Sequence, residues 1–148
     1  IHNLIAHEYD LNREGVHRSM TLVMAKDRSA SSIREALEKG NTVAWSSNYL
    51  FGKEENVRAL FDACVSVTPS FYQKSNAKQE TTKYYEIVNK SDLYFELVLK
   101  EGKGTKNIVL SPQSSQIITA NETQRVLKYE VVSTYIRSDK HLEVSFKL

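Results

Sequence analysis

From Thr82 to the end of the chain the apolar residues recur at every second position, and this period limits the fold more than any other feature. "HLEVSFKL" sets Leu142, Val144, Phe146 and Leu148 on one side and His141, Glu143, Ser145 and Lys147 on the other. "LYFELVLK" does the same with Leu93, Phe95, Leu97 and Leu99. Successive side chains of a strand point to opposite faces, so a period of two marks a sheet with one face buried and one wet. "KNIVLSPQSSQIITA" and "RVLKYEVVSTYI" supply further strands, and "NKSD", "EGKG", "SPQS" and "RSDK" supply turns between them. Short, half-buried strands with turn signals between them predict an antiparallel, Ig-like β-sandwich over residues 68–148.

Upstream of about residue 66 the grammar changes. "SMTLVMA" (19–25) is a nearly continuous apolar run, as a strand buried on both faces would give. "KDRSASSIREALEKGN" reads as a helix. Ser29 or Ser32 caps its start, Ile33, Ala36 and Leu37 share a face, and Gly40 stops it. "TVAWSSNYLFG" reads as a second extended stretch. "KEENVRALFDACV" reads as a second helix, with Val57, Leu60, Phe61 and Cys64 on one face. Strand, helix, strand, helix is the order of an α/β sheet, so the whole is expected to be α+β. "TPSFYQKSNAKQETT", polar and with one proline, reads as a linker or long loop between residues 1–67 and 68–148.

Composition serves mainly to exclude. A chain of 148 residues, 41% hydrophobic and 26% charged, is not a disordered tail. Its net charge of +2 is too small and too evenly spread for a nucleic-acid stripe. Cys64 is the single cysteine; it cannot form an internal disulfide, and its place on a helix's apolar face suits a small core residue. No apolar run approaches the ~20 residues of a membrane-spanning helix. The sequence has no Gly-x-Ser-x-Gly, no phosphate-binding glycine loop and no Cys-x-x-Cys pair, so a self-contained enzyme has little support.

The words "HRSMTLVMAKDRS", "SIREAL", "NTVAW", "LFGKEE" and "LFDACV" stand in that order between His17 and Val65. In order and spacing they resemble the C-terminal end of a PHP domain, the polymerase and histidinol phosphatase superfamily of metal-dependent phosphoesterases. The branch resembled is phosphodiesterase-like, and its members often carry an export signal and a small β-sandwich after the catalytic domain. Residues 1–67 would then be the closing strand-helix elements of the PHP α/β barrel, and 68–148 the accessory sandwich. The resemblance implies that Ile1-His2 ends a metal motif whose aspartate precedes the chain, which makes His2 a former metal ligand. It also implies a divalent metal (zinc, manganese or iron) in the full protein, with none held tightly by these 148 residues, since a metal needs several converging donors.

His17 and Arg18, just before the first strand, either face the substrate pocket, the arginine gripping a phosphate through its planar fork, or form a surface ion pair with "NRE" upstream. "HEYD", with His7, Glu8 and Asp10, reads as a solvated loop. Trp45, Tyr49 and Phe51 suit either a ligand-stacking surface or packing between the two parts. Tyr84, Tyr85, Tyr94, Tyr129 and Tyr135 suit sugar or protein binding, although alternation places Tyr85 and Tyr129 on apolar faces. The expected partners are the rest of the barrel, a phosphate-ester substrate in the full protein, and a second copy paired through an exposed strand edge. The expected location is periplasmic or otherwise exported. Two functions follow: an inactive C-terminal piece of a phosphoesterase, or a non-catalytic binding module built on the sandwich.

Overall fold

The computed structural model describes residues 19–78 and 80–148, so His2, His7, Glu8, Asp10, His17 and Arg18 lie outside the described residues. The described residues are mostly β-sheet with two short helices. In chain order they run β1 (Met20–Val23), α1 (Ala30–Glu38), β2 (Thr42–Ser46), β3 (Tyr49–Gly52), α2 (Glu54–Cys64), β4 (Val65–Val67), β5 (Tyr72–Ser75) and β6 (Thr81–Asn89). They continue with β7 (Phe95–Glu101), β8 (Asn107–Leu110), β9 (Ser115–Asn121), β10 (Val126–Arg137) and β11 (Lys140–Lys147).

Two sheets face each other. In the four-stranded sheet β6 is central, with β9 along one edge and β4 then β5 along the other. In the seven-stranded sheet β10 is the spine, with β11 along one edge. Its other edge has two neighbours in succession. β7 pairs antiparallel with Lys128–Val131, and β3 pairs parallel with Thr134 and Tyr135. β8 flanks β7, while β2 and then β1 extend the sheet from β3.

The alternation seen in the sequence has become the core. Phe95, Leu97, Leu127, Tyr129, Val131, Leu142 and Val144 are buried from one sheet, Tyr85, Ile87, Ile118 and Ala120 from the other, and Leu93 from the turn before β7. Burying each large apolar side chain contributes roughly 1.5–3 kcal/mol. Asn89 is buried among them, and its amide donates to the carbonyls of Leu93 (2.6 Å) and Ser111 (3.0 Å).

Both helices form where the pattern placed them. Ser29 caps α1 by accepting from the N–H of Ser32, and Gly40, at φ 65°, turns the chain out of it. Ser32 has a different task, since its hydroxyl accepts from the N–H groups of Lys26 and Asp27 and closes the preceding turn. Ala36 is buried, but Ile33 and Leu37 of the same face are exposed. α2 carries Glu54 and Glu55 in its first turn, where they complement the positive end of the helix dipole. Val57 and Phe61 enter the core, with Leu60 and Cys64 packed beside them. At Val65 the backbone turns extended and the helix runs directly into β4.

Four sequence expectations need correction. β1 is not buried on both faces: Met20 and Thr21 are exposed, Leu22 is half-buried against the core, and β2 is its only partner among the described strands. β1 and β2 are antiparallel neighbours, so α1 does not make the parallel strand-helix-strand crossover of an α/β sheet. "TVAWSSNYLFG" is a hairpin with its two-residue turn at Ser47-Asn48, and Ser47, at φ 51°, takes the backbone region a glycine usually fills. The polar stretch after Val67 is not all loop, because β5 within it pairs with Thr81–Tyr84 of β6. Residues 20–64 pack against the sandwich, and β1–β3 share its larger sheet.

Candidate functional site at the junction of the two segments

β10 changes neighbours at Ser133, and its alternation breaks there. Val131 is buried, Val132 half-buried, and Ser133 and Thr134 are both buried. The pairing with β11 shifts register between Val131 and Tyr135. Ser133 secures this corner: its hydroxyl accepts from the N–H of Glu96 (3.1 Å) and donates to the carbonyl of Tyr94 (3.5 Å). Such irregularities re-aim the side chains that follow. Tyr135, paired with Phe51, stacks on that ring at 5.2 Å with an interplanar angle of 11°.

An aromatic cluster results. Tyr49 tilts against Tyr135 at 6.0 Å and against Phe51 at 6.4 Å, and the imidazole of His141 lies 4.4 Å from Tyr135. Tyr49 and Phe51 remain 46% and 42% exposed, so these rings are not sealed between the two segments. The nearby Tyr94 hydroxyl is pushed above its ordinary pKa, mainly by burial and then by the Glu96 carboxylate and Tyr49.

Beside the rings, the first turn of α2 and the β10–β11 hairpin enclose a cleft of about 220 Å³ lined by Glu54, Arg58, Lys140, His141 and Glu143 among others. Glu54 and Arg58 form an ion pair at 2.8 Å. That guanidinium hydrogen bond holds the Glu54 carboxyl below its usual range, helped by Lys140 and Arg137. Nδ1 of His141 and the hydroxyl of Thr134 are buried without a partner among the described residues.

This arrangement can stack on a flat ring and meet charge beside it. Among the described residues it has no hydroxyl or thiol nucleophile hydrogen-bonded to a base. Among the described residues no three of His, Cys, Asp and Glu are placed to hold a metal ion. No helix of the described residues is long and apolar enough to cross a membrane.

The sequence candidates divide. Trp45 packs against the core, and its indole N–H donates to the carbonyl of Ser47 (2.9 Å), whereas Tyr49 and Phe51 turn outward. Tyr85 and Tyr129 are core residues, and Cys64 is half-buried against the core. Tyr135 is one of the candidate tyrosines, whereas Ser133 and His141 carried no expectation. Their signal was the stretch "VVSTYIR", where the period of two loses its phase.

The sequence of residues 65–147 matches a family model, DUF5001, described as an Ig-like domain. Among solved structures, a two-domain protein from Bacteroides vulgatus ATCC 8482, described as containing a predicted PHP-like metal-dependent phosphoesterase, is similar over 97% of this chain, with a TM-score of 0.77 and 29% sequence identity. The chain spans 42% of that protein's length. No curated protein matches.

Proposed function

The chain belongs to the Ig-like domain family DUF5001, and from that premise we propose that it is the C-terminal part of a PHP-type metal-dependent phosphoesterase. Residues 1–67 would close the catalytic barrel, and 68–148 would form its accessory sandwich. The observation that carries this reading is the reach of the structural likeness. It spans 97% of the chain, both segments together, and not the sandwich alone.

In the full protein the reaction is hydrolysis of a phosphate ester, and a divalent metal (zinc, manganese or iron) would supply the activation of water. The described residues do not fit that metal, because no group of donors among them converges. Its ligands belong with His2 and the upstream part of the catalytic domain, and His17 and Arg18 would face the substrate. The described residues have a mechanical part: β3 adds the closing segment to the sheet of the sandwich, and α2 plugs its core. The outer edge of β1 would accept the next strand of the barrel or a second copy. The same reading carries an exported location.

The test compares the full gene product with the 148-residue chain. Bound metal is counted by elemental analysis, and hydrolysis of bis(p-nitrophenyl) phosphate is followed by absorbance. Metal and turnover are expected in the full product alone. Turnover by the 148-residue chain, or a full product with neither metal nor turnover, sinks the reading. A second reading, a binding module, is favoured by the exposed rings of Tyr49 and Phe51. It would gain if removing the sandwich left turnover intact but abolished retention on a ligand.

A further inference from the structure

The sandwich has a second pole, far from the junction. β10 begins at Val126 and reaches β3 at Thr134, so the two poles lie roughly 26 Å apart at about 3.3 Å per residue. At this pole the step from β4 to β5, the start of β6, the β9–β10 turn and the end of β11 enclose a cleft of about 340 Å³. That volume falls within the range of small-ligand sites.

Its lining indicates what it would take. Lys83, Arg125 and Lys147 all line the cleft, and none forms an ion pair among the described residues. Glu122 is the one acidic side chain in the lining, so positive charge is in excess. Tyr85 is the second observation. It is 5% exposed and lines the cleft, and its hydroxyl has no hydrogen-bond partner among the described residues. Nor is that hydroxyl among the buried polar atoms without a partner, so it still opens to solvent. Tyr129, buried in the facing sheet, donates to the carbonyl of Thr105 at 2.8 Å. Tyr85 thus holds a free donor at the foot of a cationic cleft.

We infer that this cleft binds a small oxyanion, a phosphate or carboxylate carried on a ring or short chain. The oxyanion sits among Lys83, Arg125 and Lys147, with the planar fork of Arg125 giving two parallel bonds and the Tyr85 hydroxyl giving a third. The body of the ligand lies against Pro69 at the mouth of the cleft. Every residue involved belongs to the segment after Val67, so the inference stands or falls apart from the phosphoesterase reading.

The test is an amide-resolved NMR titration of the 148-residue chain with phenyl phosphate and, separately, benzoate. Benzyl alcohol is the neutral control. Saturable shifts are expected at Lys83, Tyr85, Arg125 and Lys147 for at least one anion, weakening as salt rises from ~50 to ~150 mM. The tighter of the two identifies the oxyanion. Arg125→Gln and Tyr85→Phe should each weaken binding about tenfold or more, the loss expected for a charge-assisted hydrogen bond. Lys74→Gln, on the exposed strand β5, should leave binding unchanged. The inference is overturned if neither anion saturates, if benzyl alcohol binds as well, or if Lys74→Gln weakens binding as much as Arg125→Gln.

Discussion

Phe61 is the largest buried side chain that the segment before residue 65 sends into the core, and its removal tests whether the two are one folding unit. It is 2% exposed and meets Phe95 edge to face at 5.1 Å and 80°, with Phe146 tilted at 6.3 Å. Phe61→Ala removes a buried ring and leaves a cavity, a loss of about 3–5 kcal/mol. Set against the ~5–15 kcal/mol that holds a typical domain folded, this is a large fraction. The ring belongs to α2 and its partners to β7 and β11, so both segments must register the loss. Trp45, the single tryptophan, sits in β2 and reports the first segment by fluorescence, while far-UV circular dichroism is dominated by the sandwich. Urea unfolding followed by the two probes should give one coincident transition. With a slope of about 1–3 kcal/mol/M, Phe61→Ala should lower both midpoints together by about 1–5 M. If the variant fails to fold, Phe61→Leu should give a smaller shift, again shared by both probes. A tryptophan transition separate from the dichroism in the unmutated chain, or one that moves alone in the variant, would refute the shared-core argument.

Tyr129 should make the protein sensitive to alkali. Burial pushes its hydroxyl up to about 12 from the ordinary 10. Below pH 10 both folded and unfolded states are protonated and stability is unaffected. Between pH 10 and 12 the unfolded state ionises first, and roughly 2–3 kcal/mol is lost. Urea midpoints across that range should fall, and Tyr129→Phe should flatten the fall. Asn89→Ala strands the carbonyls of Leu93 and Ser111 and the N–H of Ser91, which bonds its side-chain oxygen at 3.1 Å. About 3 kcal/mol of stability should go with them, read by chemical denaturation. Gly104→Ala would bring a Cβ to 2.5 Å from the carbonyl oxygen of Thr119, against the bridge to Ala120. The backbone must shift, and thermal melting should show a loss of about 1–3 kcal/mol.

What the chain determined by itself is what depends on near neighbours. The period of two in "LYFELVLK" and "HLEVSFKL" placed Leu97 and Leu142 in the core, because strand geometry alone fixes which face each side chain takes. The spacing of Val57 and Phe61 gave the buried face of α2, and Gly40 the end of α1. Nothing local marked β5, whose four residues are all exposed: with no buried face there is no alternation to read. Nor did the turn at Ser47 announce itself, for it holds a positive φ without glycine. Which strand lies beside which was decided only in three dimensions. β3 meets β10 across more than eighty residues of chain because β7 ends its pairing near Ser133 and leaves that edge open. The aromatic cluster of Tyr49, Phe51, Tyr135 and His141 and the cationic cleft around Tyr85 both arise this way, from side chains distant in sequence that the sheets bring together.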